Sequence, residues 1–282
     1  MTMHYIAVIG AGTMGSGIAQ VCASAEHLLL LIDINQQALD KGLGTIRRHL
    51  DRQVAKGVLS QDQASVTLQR IRTSTRYADL DAVDLVIEAA TENLALKRSI
   101  LQQIDAHVRP DCLIASNTSS LSITELAAGI SHPERFMGIH FFNPVPVMGL
   151  VELIPGLLTS EATAASARAL VERLGKTAIF TGNRPGFMVN RILMPMINEA
   201  IFVLQENGDA QAIDTSMRLG CNQPIGPLAL ADLIGLDTVL AILDTLQSGF
   251  GDPKYRAAPL LRELVAAGLL GKKTGRGFHA YR

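Results

Sequence analysis

The order of short apolar runs and longer helical patterns up to residue 180 constrains the fold more than any other feature of the sequence. The runs are hydrophobic almost throughout, which is typical of strands buried on both faces of a sheet. Between them lie helical patterns such as 36–56, where Asn35 is a suitable N-cap, and 94–108. This strand–helix repetition predicts an α/β fold with a doubly wound, mostly parallel sheet of the Rossmann type. The predicted strands are "YIAVI" (5–9), "LLLLI" (28–32), "DLVIEA" (84–89), "CLIAS" (112–116) and "FMGIHF" (136–141).

The pattern changes after "GNRPGF" (182–187). Residues 189–208 predict one long helix, apolar on nearly every side and closed by a left-handed cap at Asn207-Gly208. Such a helix needs more cover than a few short helices provide, so we expect the chain to form a homodimer. The sequence therefore predicts a dinucleotide-binding domain at 1–183 and an all-helical substrate and dimerisation domain at 184–282. Further helices are predicted at 211–219, 228–247 and 259–267.

Composition excludes several classes of protein. With 48% hydrophobic and 18% charged residues, the chain has enough apolar material for a large core, which excludes intrinsic disorder. A formal net charge of −1 argues against a nucleic-acid or membrane partner held by bulk electrostatics. The three cysteines, Cys22, Cys112 and Cys221, have no metal-like spacing, so we expect reduced thiols, no metal site and a cytoplasmic location.

A glycine-rich motif follows the first predicted strand and opens a helix. In this G-x-G-x-x-G pattern the first glycine permits a tight turn and the second lets a pyrophosphate approach the backbone. The third lets the helix pack closely on the strand. The cofactor-binding stretch consists of Gly10, Ala11, Gly12, Thr13, Met14 and Gly15.

The second predicted strand ends at Asp33, about 20 residues beyond the motif, where a carboxylate can accept hydrogen bonds from the adenosine ribose. Residues 34–37 contain no Arg or Lys that could bind a 2′-phosphate. The sequence therefore predicts NAD, not NADP, as the cofactor.

Polar side chains follow two later strands of the predicted sheet. His140 lies at the end of 136–141, and "ASNTSSL" (115–121) ends the strand before it. Because ligands collect at the carboxyl ends of parallel strands, we expect His140, Ser119 and Asn117 to converge near the nicotinamide. The segment "LVELI" can then run back past His140, so that Glu152 accepts a hydrogen bond from one ring nitrogen while the other faces the substrate.

Six segments together resemble the L-3-hydroxyacyl-CoA dehydrogenase family, above all its short, unfused members that act on 3-hydroxybutyryl-CoA. The resemblance implies hydride exchange between NAD and C3 of a 3S-hydroxyacyl-CoA. "HFFNPVPVM" is far more specific than the glycine motif. The segments are "GAGTMGSGIAQ", "EAATENLALK", "SNTSSLSI", "HFFNPVPVM", "PGFMVNRIL" and "GKKTGRGF".

The resemblance also implies roles for single residues. His140 matches the family's general base and Glu152 its carboxylate partner, while Ser119 and Asn190 match polar residues that hold the substrate. Residues that match cofactor-contacting or site-ordering positions of the family are Glu92, Lys97, Asn143 and Lys273.

Coenzyme A phosphates require cations. Arg48, Arg52 and Lys56 are four residues apart and line one face of the predicted helix 36–56, where a solvated surface is the alternative interpretation. Lys56 matches a CoA-contacting position of the family. The sequence departs from the family at His49, where a small polar residue is usual, and at Gly149, where Lys is common.

Two other functions remain open from the sequence. A dehydrogenase of a free hydroxy acid or sugar acid would need a carboxylate clamp, typically Arg, near His140. None is obvious, because Arg135 is a turn residue and Arg191 follows Asn190. A crystallin-like structural protein would not need the acid–base residues.

Overall fold

A computed structural model describes residues 3–281, without the side chain of Asn207. The chain divides into two compact units between Asn183 and Arg184. None of the helices within 3–281 combines the length and the apolar character that a membrane crossing requires.

The first unit is built on one eight-stranded sheet. The strand order is β3-β2-β1-β4-β5-β6-β7-β8, and all neighbours are parallel except β6 and β7. The chain winds outward from β1 in both directions, so the α/β, doubly wound, mostly parallel fold is confirmed. The strands are β1 Tyr5–Ile9, β2 Leu28–Ile32, β3 Ile71–Ser74, β4 Leu85–Glu88, β5 Leu113–Ser116, β6 Phe136–Phe141, β7 Leu150–Pro155 and β8 Thr177–Phe180.

Helices connect most of these strands, and most begin at a polar N-cap. Asn35 accepts a hydrogen bond from the Ala38 amide, as the sequence predicts, and Asn93 does the same for Leu96. The helices are α1 Thr13–Ser24, α2 Gln36–Ala55, α3 Gln61–Gln69, α4 Leu94–Asp105, α5 Ile123–Ala127 and α6 Glu161–Arg173.

The main core lies between the sheet and its helices. Val8 and Leu31 from adjacent strands are fully buried, as are Leu39 and Ile46 of α2, which belong to the same core. Each such side chain contributes about 1.5–3 kcal/mol when removed from water. This burial on both faces explains the nearly continuous hydrophobicity of the central strands.

The second unit is all-helical, as predicted, within its described residues 184–281; beyond helices it has only isolated bridges around Arg276. The single helix predicted at 228–247 is wrong. Gly235, with φ +102°, interrupts it and separates two helices. The left-handed cap is present at Gly208, with φ +72°. The helices are α7 Val189–Asn207, α8 Ala210–Gly220, α9 Pro227–Ile234, α10 Leu236–Phe250 and α11 Pro259–Ala266.

Candidate active site

The turn between β1 and α1 requires glycine at two of its positions. Gly10 has φ +102°, and a Cβ on Gly15 would lie 1.7 Å from the Gly10 carbonyl oxygen. No atom lies within 4 Å of the position that a Cβ would take on Gly12. The first and third glycines are thus required by the backbone and its packing, and the second leaves the turn accessible to a ligand.

The N-terminus of α1 fits a pyrophosphate. Gly12 is its N-cap, and no side chain caps the helix. Thr13 is exposed and Met14 half-buried in the first turn. Amide groups at an uncapped helix N-terminus, together with the helix dipole, favour an anion. The turn therefore fits the phosphates of a dinucleotide.

Asp33 lies just after the end of β2 and contacts the same turn. Its Oδ2 accepts a hydrogen bond from the Ala11 amide at 2.7 Å, and its Oδ1 one from the Ile34 amide at 2.7 Å. A carboxylate oxygen has two lone pairs, so both atoms can accept a further bond from a ribose hydroxyl. These acceptor atoms fit the adenosine ribose of NAD.

His140 and Glu152 are opposite each other on the antiparallel strands β6 and β7. His140 Nδ1 lies 2.8 Å from Glu152 Oε2, and the two side chains are only 7% and 1% exposed. A directly opposite pair points to the same face of a sheet, so the strand register alone brings the two groups together. The carboxylate fixes the ring orientation.

Asn117 and Ser119 follow β5, next to β6. Asn117 Oδ1 accepts a hydrogen bond from the Phe141 amide at 2.8 Å, so it ties the end of β5 to the end of β6. Ser119 is half-buried, and its hydroxyl lies 3.3 Å from Glu92 Oε1. The carboxyl ends of β4, β5 and β6 thus share one edge of the sheet.

Glu92 accepts hydrogen bonds from the segment 118–120, which contains Ser119. Its Oε1 accepts hydrogen bonds from the Thr118 hydroxyl at 2.6 Å and from the Ser119 and Ser120 amides at 2.9 and 3.2 Å. Burial alone would raise the pKa of the Glu92 carboxyl, but the Lys97 ammonium and these donors outweigh it and lower that pKa. Glu92 is therefore ionised at neutral pH.

Lys97 is almost fully buried, at 1% exposure. Its Nζ lies 2.8 and 2.9 Å from the two carboxylate oxygens of Glu88 and 3.2 Å from the Ala90 carbonyl oxygen. Glu92 Oε2 is 3.5 Å away. Glu88, at the end of β4, also accepts a 2.6 Å hydrogen bond from the Ser116 hydroxyl.

Three further predicted residues lie in other places. Asn143 is exposed in the β6–β7 loop. In the second unit, Asn190 is 8% exposed in the first turn of α7. Lys273 Nζ contacts both carboxylate oxygens of Asp237 at 2.6 Å. Burial tends to raise the pKa of Asp237, and hydrogen bonds, chiefly from Lys273, lower it overall.

The predicted CoA-binding cations are all exposed along one helix. Arg48 and Arg52 lie on α2, and Lys56 follows its last residue. Within residues 3–281, none of the three forms an ion pair. His49 is half-buried on the same helix. Gly149 is exposed just before β7, and the space that a side chain would enter there holds no atom within 4 Å.

The arginines required by the free-acid alternative have other partners. Arg135 is 5% exposed, donates to the carbonyl oxygen of Cys112 at 3.1 Å and pairs with Asp105. The guanidinium of Arg191, in the second unit, stacks 4.4 Å from the centre of the Phe250 ring. Arg135 is thus committed to the fold, which removes one candidate carboxylate clamp.

Four residues of this region escaped sequence reasoning. Glu88 and Ser116 end two buried strands, and Thr118 and Ser120 flank Ser119. One signal was present: a carboxylate within the apolar run 84–89 requires a buried partner. In the part of the chain that the structure describes, no three His, Cys, Asp or Glu side chains cluster as a metal site would require.

Comparison with known proteins assigns the family. The family model described as 3-hydroxyacyl-CoA dehydrogenase, NAD binding domain, matches residues 5–184, and the corresponding C-terminal domain model matches 186–281. The chain belongs to the 3-hydroxyacyl-CoA dehydrogenase family. It is an NAD-dependent oxidoreductase, and its function is hydride transfer between NAD(H) and C3 of a 3-hydroxyacyl-CoA.

Relatives of this dehydrogenase cover its whole length. The chain is 49% identical over 282 residues to a probable 3-hydroxybutyryl-CoA dehydrogenase of Bacillus subtilis, covering 100% of this chain and 98% of the relative. It is 49% identical to the 3-hydroxybutyryl-CoA dehydrogenase of Bradyrhizobium diazoefficiens, over 98% and 95% of the two chains. The crystal structure of (S)-3-hydroxybutyryl-CoA dehydrogenase from Ralstonia eutropha superposes with a TM-score of 0.96, at 55% identity and full coverage of both chains.

Proposed function

We propose that the enzyme interconverts (3S)-3-hydroxybutyryl-CoA and acetoacetyl-CoA. The observation that carries this proposal is the buried His140–Glu152 pair at the sheet edge where the ends of β4, β5 and β6 meet. The relatives named for the same short-chain thioester support the choice of substrate. The family resemblance supplies the 3S configuration.

His140 is the general acid–base group in this proposal. With Nδ1 bonded to Glu152, the other ring nitrogen, Nε2, takes the proton of the C3 hydroxyl during oxidation. In reduction the imidazolium returns that proton to the ketone oxygen. A positioned acid–base group contributes about 10²- to 10⁴-fold to the rate. Glu152 stabilises the imidazolium and keeps the ring oriented.

Ser119 and Asn190 hold the substrate. The Ser119 hydroxyl can turn from Glu92 and donate to the C3 oxygen, where negative charge develops during oxidation. Asn190 is nearly buried and carries an amide, which can donate to a carbonyl and accept from a hydroxyl. Ser119 lowers the barrier by orienting C3.

Residues of the first unit hold NAD. The turn 10–15 binds the pyrophosphate, and Asp33 accepts from the adenosine ribose hydroxyls. NAD⁺, when bound, supplies the acceptor for the hydride that leaves C3. The further residues of this unit that contact the cofactor or order its site are Glu92, Lys97, Asn117, Ser119 and Asn143. The family resemblance implies the same kind of role for Lys273.

Arg48, Arg52 and Lys56 bind the phosphates of CoA. They form a row of cations along α2, and within 3–281 none is neutralised by an acidic partner. The chain has a net charge of −1, so a multiply charged anion has to be held by such a local group. Because these cations bind the phosphates of CoA, the thioester is a better substrate than the free acid, which has no such phosphates.

Residues 1–183 form the dinucleotide-binding domain, and residues 184–282 form the substrate and dimerisation domain, through which the enzyme is a homodimer.

An apolar groove of about 550 Å³ in the second unit supports the dimer. It is lined from α7 by Met196 and Val203 and from α8 by Ile213 and Met217. In light scattering, Val203→Asp is expected to shift the enzyme towards monomer, whereas exposed Leu219→Asp on α8 is the control that leaves it a dimer.

The enzyme is cytoplasmic in this proposal. Cys22 and Cys112 are buried free thiols and Cys221 is an exposed one, as expected in a reducing compartment. The bacterial relatives support the same location.

The substrate is tested by the rates of NADH oxidation on a series of 3-ketoacyl-CoA thioesters. The highest kcat/KM is expected on acetoacetyl-CoA, with a decline of at least about tenfold on long acyl chains, and the alcohol formed is expected to be 3S. A clear preference for long chains, or a 3R product, would refute the substrate while leaving the NAD-dependent chemistry in place.

A further inference from the structure

The loop 142–149 connects the two strands that carry His140 and Glu152. Since β6 and β7 are antiparallel, the end of β6 and the start of β7 lie at the same edge of the sheet. β8 runs parallel to β7 and therefore starts at that edge as well. Lys176 directly precedes β8, so its side chain starts from the edge that holds the acid–base pair.

Main-chain hydrogen bonds close a turn within this loop. The Pro144 carbonyl oxygen accepts from the Val147 and Met148 amides at 2.9 and 3.0 Å. The carbonyl oxygens of Val145 and Met148 both accept from Lys176 Nζ, each at 2.7 Å. Hydrogen bonds from an ammonium group are shorter and stronger than those between neutral groups, so this one side chain fixes the turn at two points.

Two other contacts hold the loop. Val145 is 2% exposed and belongs to the main core. It packs where Gly17 of α1 has no side chain, since a Cβ on Gly17 would lie 2.8 Å from Val145 Cβ. Further along, the Gly149 carbonyl oxygen accepts from the Thr177 amide at 2.7 Å. The loop is thus fixed by the core at one point and by β8 at another.

The position of Asn143 follows from the turn. Asn143 is exposed and directly precedes Pro144, whose carbonyl oxygen closes the turn. The apolar contact of Val145 is not directional, so by itself it leaves the turn free to rotate about that side chain. The bonds from Lys176 are directional and remove this freedom. Lys176 is half-buried and donates two of its three ammonium protons to the turn, so it supports the loop and is not a free surface cation.

We propose that Lys176 is a positioning residue of the cofactor site, which fixes the turn 144–148 and, through it, Asn143. This assignment rests on the cofactor contact proposed for Asn143. Without the two donors the turn rotates about Val145 and Asn143 moves with it, so NADH binds more weakly. The acid–base pair keeps its register, because the pairing of β6 with β7 sets it, and the chemical step is retained.

The first test is Lys176→Met, which keeps an unbranched stem of similar length and removes both donors. The Kd for NADH, measured by calorimetry without substrate, is expected to rise about fivefold. The kcat on acetoacetyl-CoA at saturating NADH is expected to stay within about threefold of wild type, with the change confined to KM for NADH. An unchanged NADH Kd would overturn the proposal, and so would a fall in kcat of about tenfold or more, which would place the effect on the chemical step.

A double-mutant cycle shows whether the effect passes through Asn143. In an Asn143→Ala background, Lys176→Met is expected to raise the NADH Kd less than about twofold, because the contact that the lysine positions is already absent. A general loss of packing would not produce this coupling. The same rise of about fivefold in both backgrounds would refute the positioning role, since Lys176 would then act on cofactor binding independently of Asn143.

Two further variants control for charge and folding. Arg173→Met removes an exposed cation at the end of α6 and should leave the NADH Kd within about twofold of wild type, whereas equal rises in both Met variants would contradict the role of the hydrogen bonds. If Lys176→Met does not fold, Lys176→Gln carries the same cycle, because its amide can still donate to one carbonyl oxygen. Its NADH Kd is expected to rise about threefold with Asn143 present and less than about 1.5-fold beside Asn143→Ala, and no rise in either background overturns the proposal.

Turnover of acetoacetyl-CoA by the wild-type enzyme tests the proposed function separately. A wild type without turnover overturns that function. The NADH cycle uses no substrate, so it still decides whether Lys176 positions Asn143.

Discussion

Replacing Glu152 with Gln removes the negative charge of the buried His140–Glu152 pair and keeps nearly the same side-chain geometry. The amide has nearly the same shape and retains an oxygen that can accept from His140 Nδ1, 2.8 Å away in the wild type. What disappears is the negative charge, at a site where the two side chains are 7% and 1% exposed. The variant therefore tests whether the carboxylate stabilises the imidazolium.

The expected loss follows from this geometry. A hydrogen bond to a charged group contributes about 1.5–3 kcal/mol and a neutral one about 0.5–1.5 kcal/mol, so loss of charge assistance alone costs about 1.5 kcal/mol. A buried charge left without its partner costs up to about 3–5 kcal/mol. Since 1.4 kcal/mol corresponds to a factor of about ten, kcat for Glu152→Gln is expected to fall between about 10- and 10³-fold.

The assay follows NADH absorbance during reduction of acetoacetyl-CoA. Reduction consumes a proton, so part of the lost rate is expected to return as the pH is lowered, while the oxidation direction gains no such benefit. Glu172→Gln, an exposed carboxylate on α6, is the matched control and should keep full activity. A Glu152→Gln enzyme with unchanged NADH affinity and kcat within about twofold of wild type would refute the role of this charge.

Three further variants test other parts of the account. Asp33→Ala should narrow the preference for NADH over NADPH by about tenfold in kcat/KM, since the ribose loses a charged acceptor and the 2′-phosphate loses a repulsion. Lys56→Ala should raise KM for acetoacetyl-CoA about fivefold, an effect of about 1 kcal/mol that shrinks with salt, with KM for NADH unchanged. Asp105→Asn should lower the free energy of unfolding by about 3–5 kcal/mol at neutral pH without changing kcat/KM, because it leaves Arg135 unpaired.

The controls differ between these variants. Lys41→Ala, on an exposed position of the same helix as Arg52, should leave KM unchanged, and equal effects of Lys41 and Lys56 would contradict a CoA contact. Wild type with equal or higher kcat/KM for NADPH would contradict the role of Asp33.

Burial raises the pKa of Asp105, but hydrogen bonds from Ser131 and Arg135 outweigh this and lower it. The wild type should therefore lose its advantage over Asp105→Asn as pH falls below about 4 and through that lowered pKa, and a pH-independent difference would contradict the ion pair.

The central strands were predictable because burial on both faces selects nearly continuous apolar residues, as in β1 and β2. The edge strands β3 and β8 were not, since each has four residues, is partly exposed and contacts only one neighbouring strand. The break at Gly235 also escaped prediction. The sequences on both sides of Gly235 favour a helix, and a single glycine does not determine a left-handed φ.

At the candidate active site, the sequence predicted those contacts that follow from strand pairing alone. His140 and Glu152 meet because antiparallel strands of the observed register put them side by side. The Glu88–Lys97 contact depends on how α4 packs against the end of β4, and a lysine within a helical pattern normally indicates an exposed face. Its burial could therefore not be derived from spacing. Asn190 and Lys273 rest on the family resemblance for the same reason.

The account's central claim is that His140 exchanges the proton while hydride passes between NAD(H) and C3 of a CoA thioester. One comparison tests it most directly: kcat and KM for NADH oxidation by the wild type and His140→Gln, on acetoacetyl-CoA and on free acetoacetate. The account predicts about 10²-fold or more loss of kcat in the variant with an unchanged NADH Kd, and very poor turnover of the free acid by the wild type. A fully active His140→Gln enzyme, or equal kcat/KM on acetoacetate and its thioester, would contradict it.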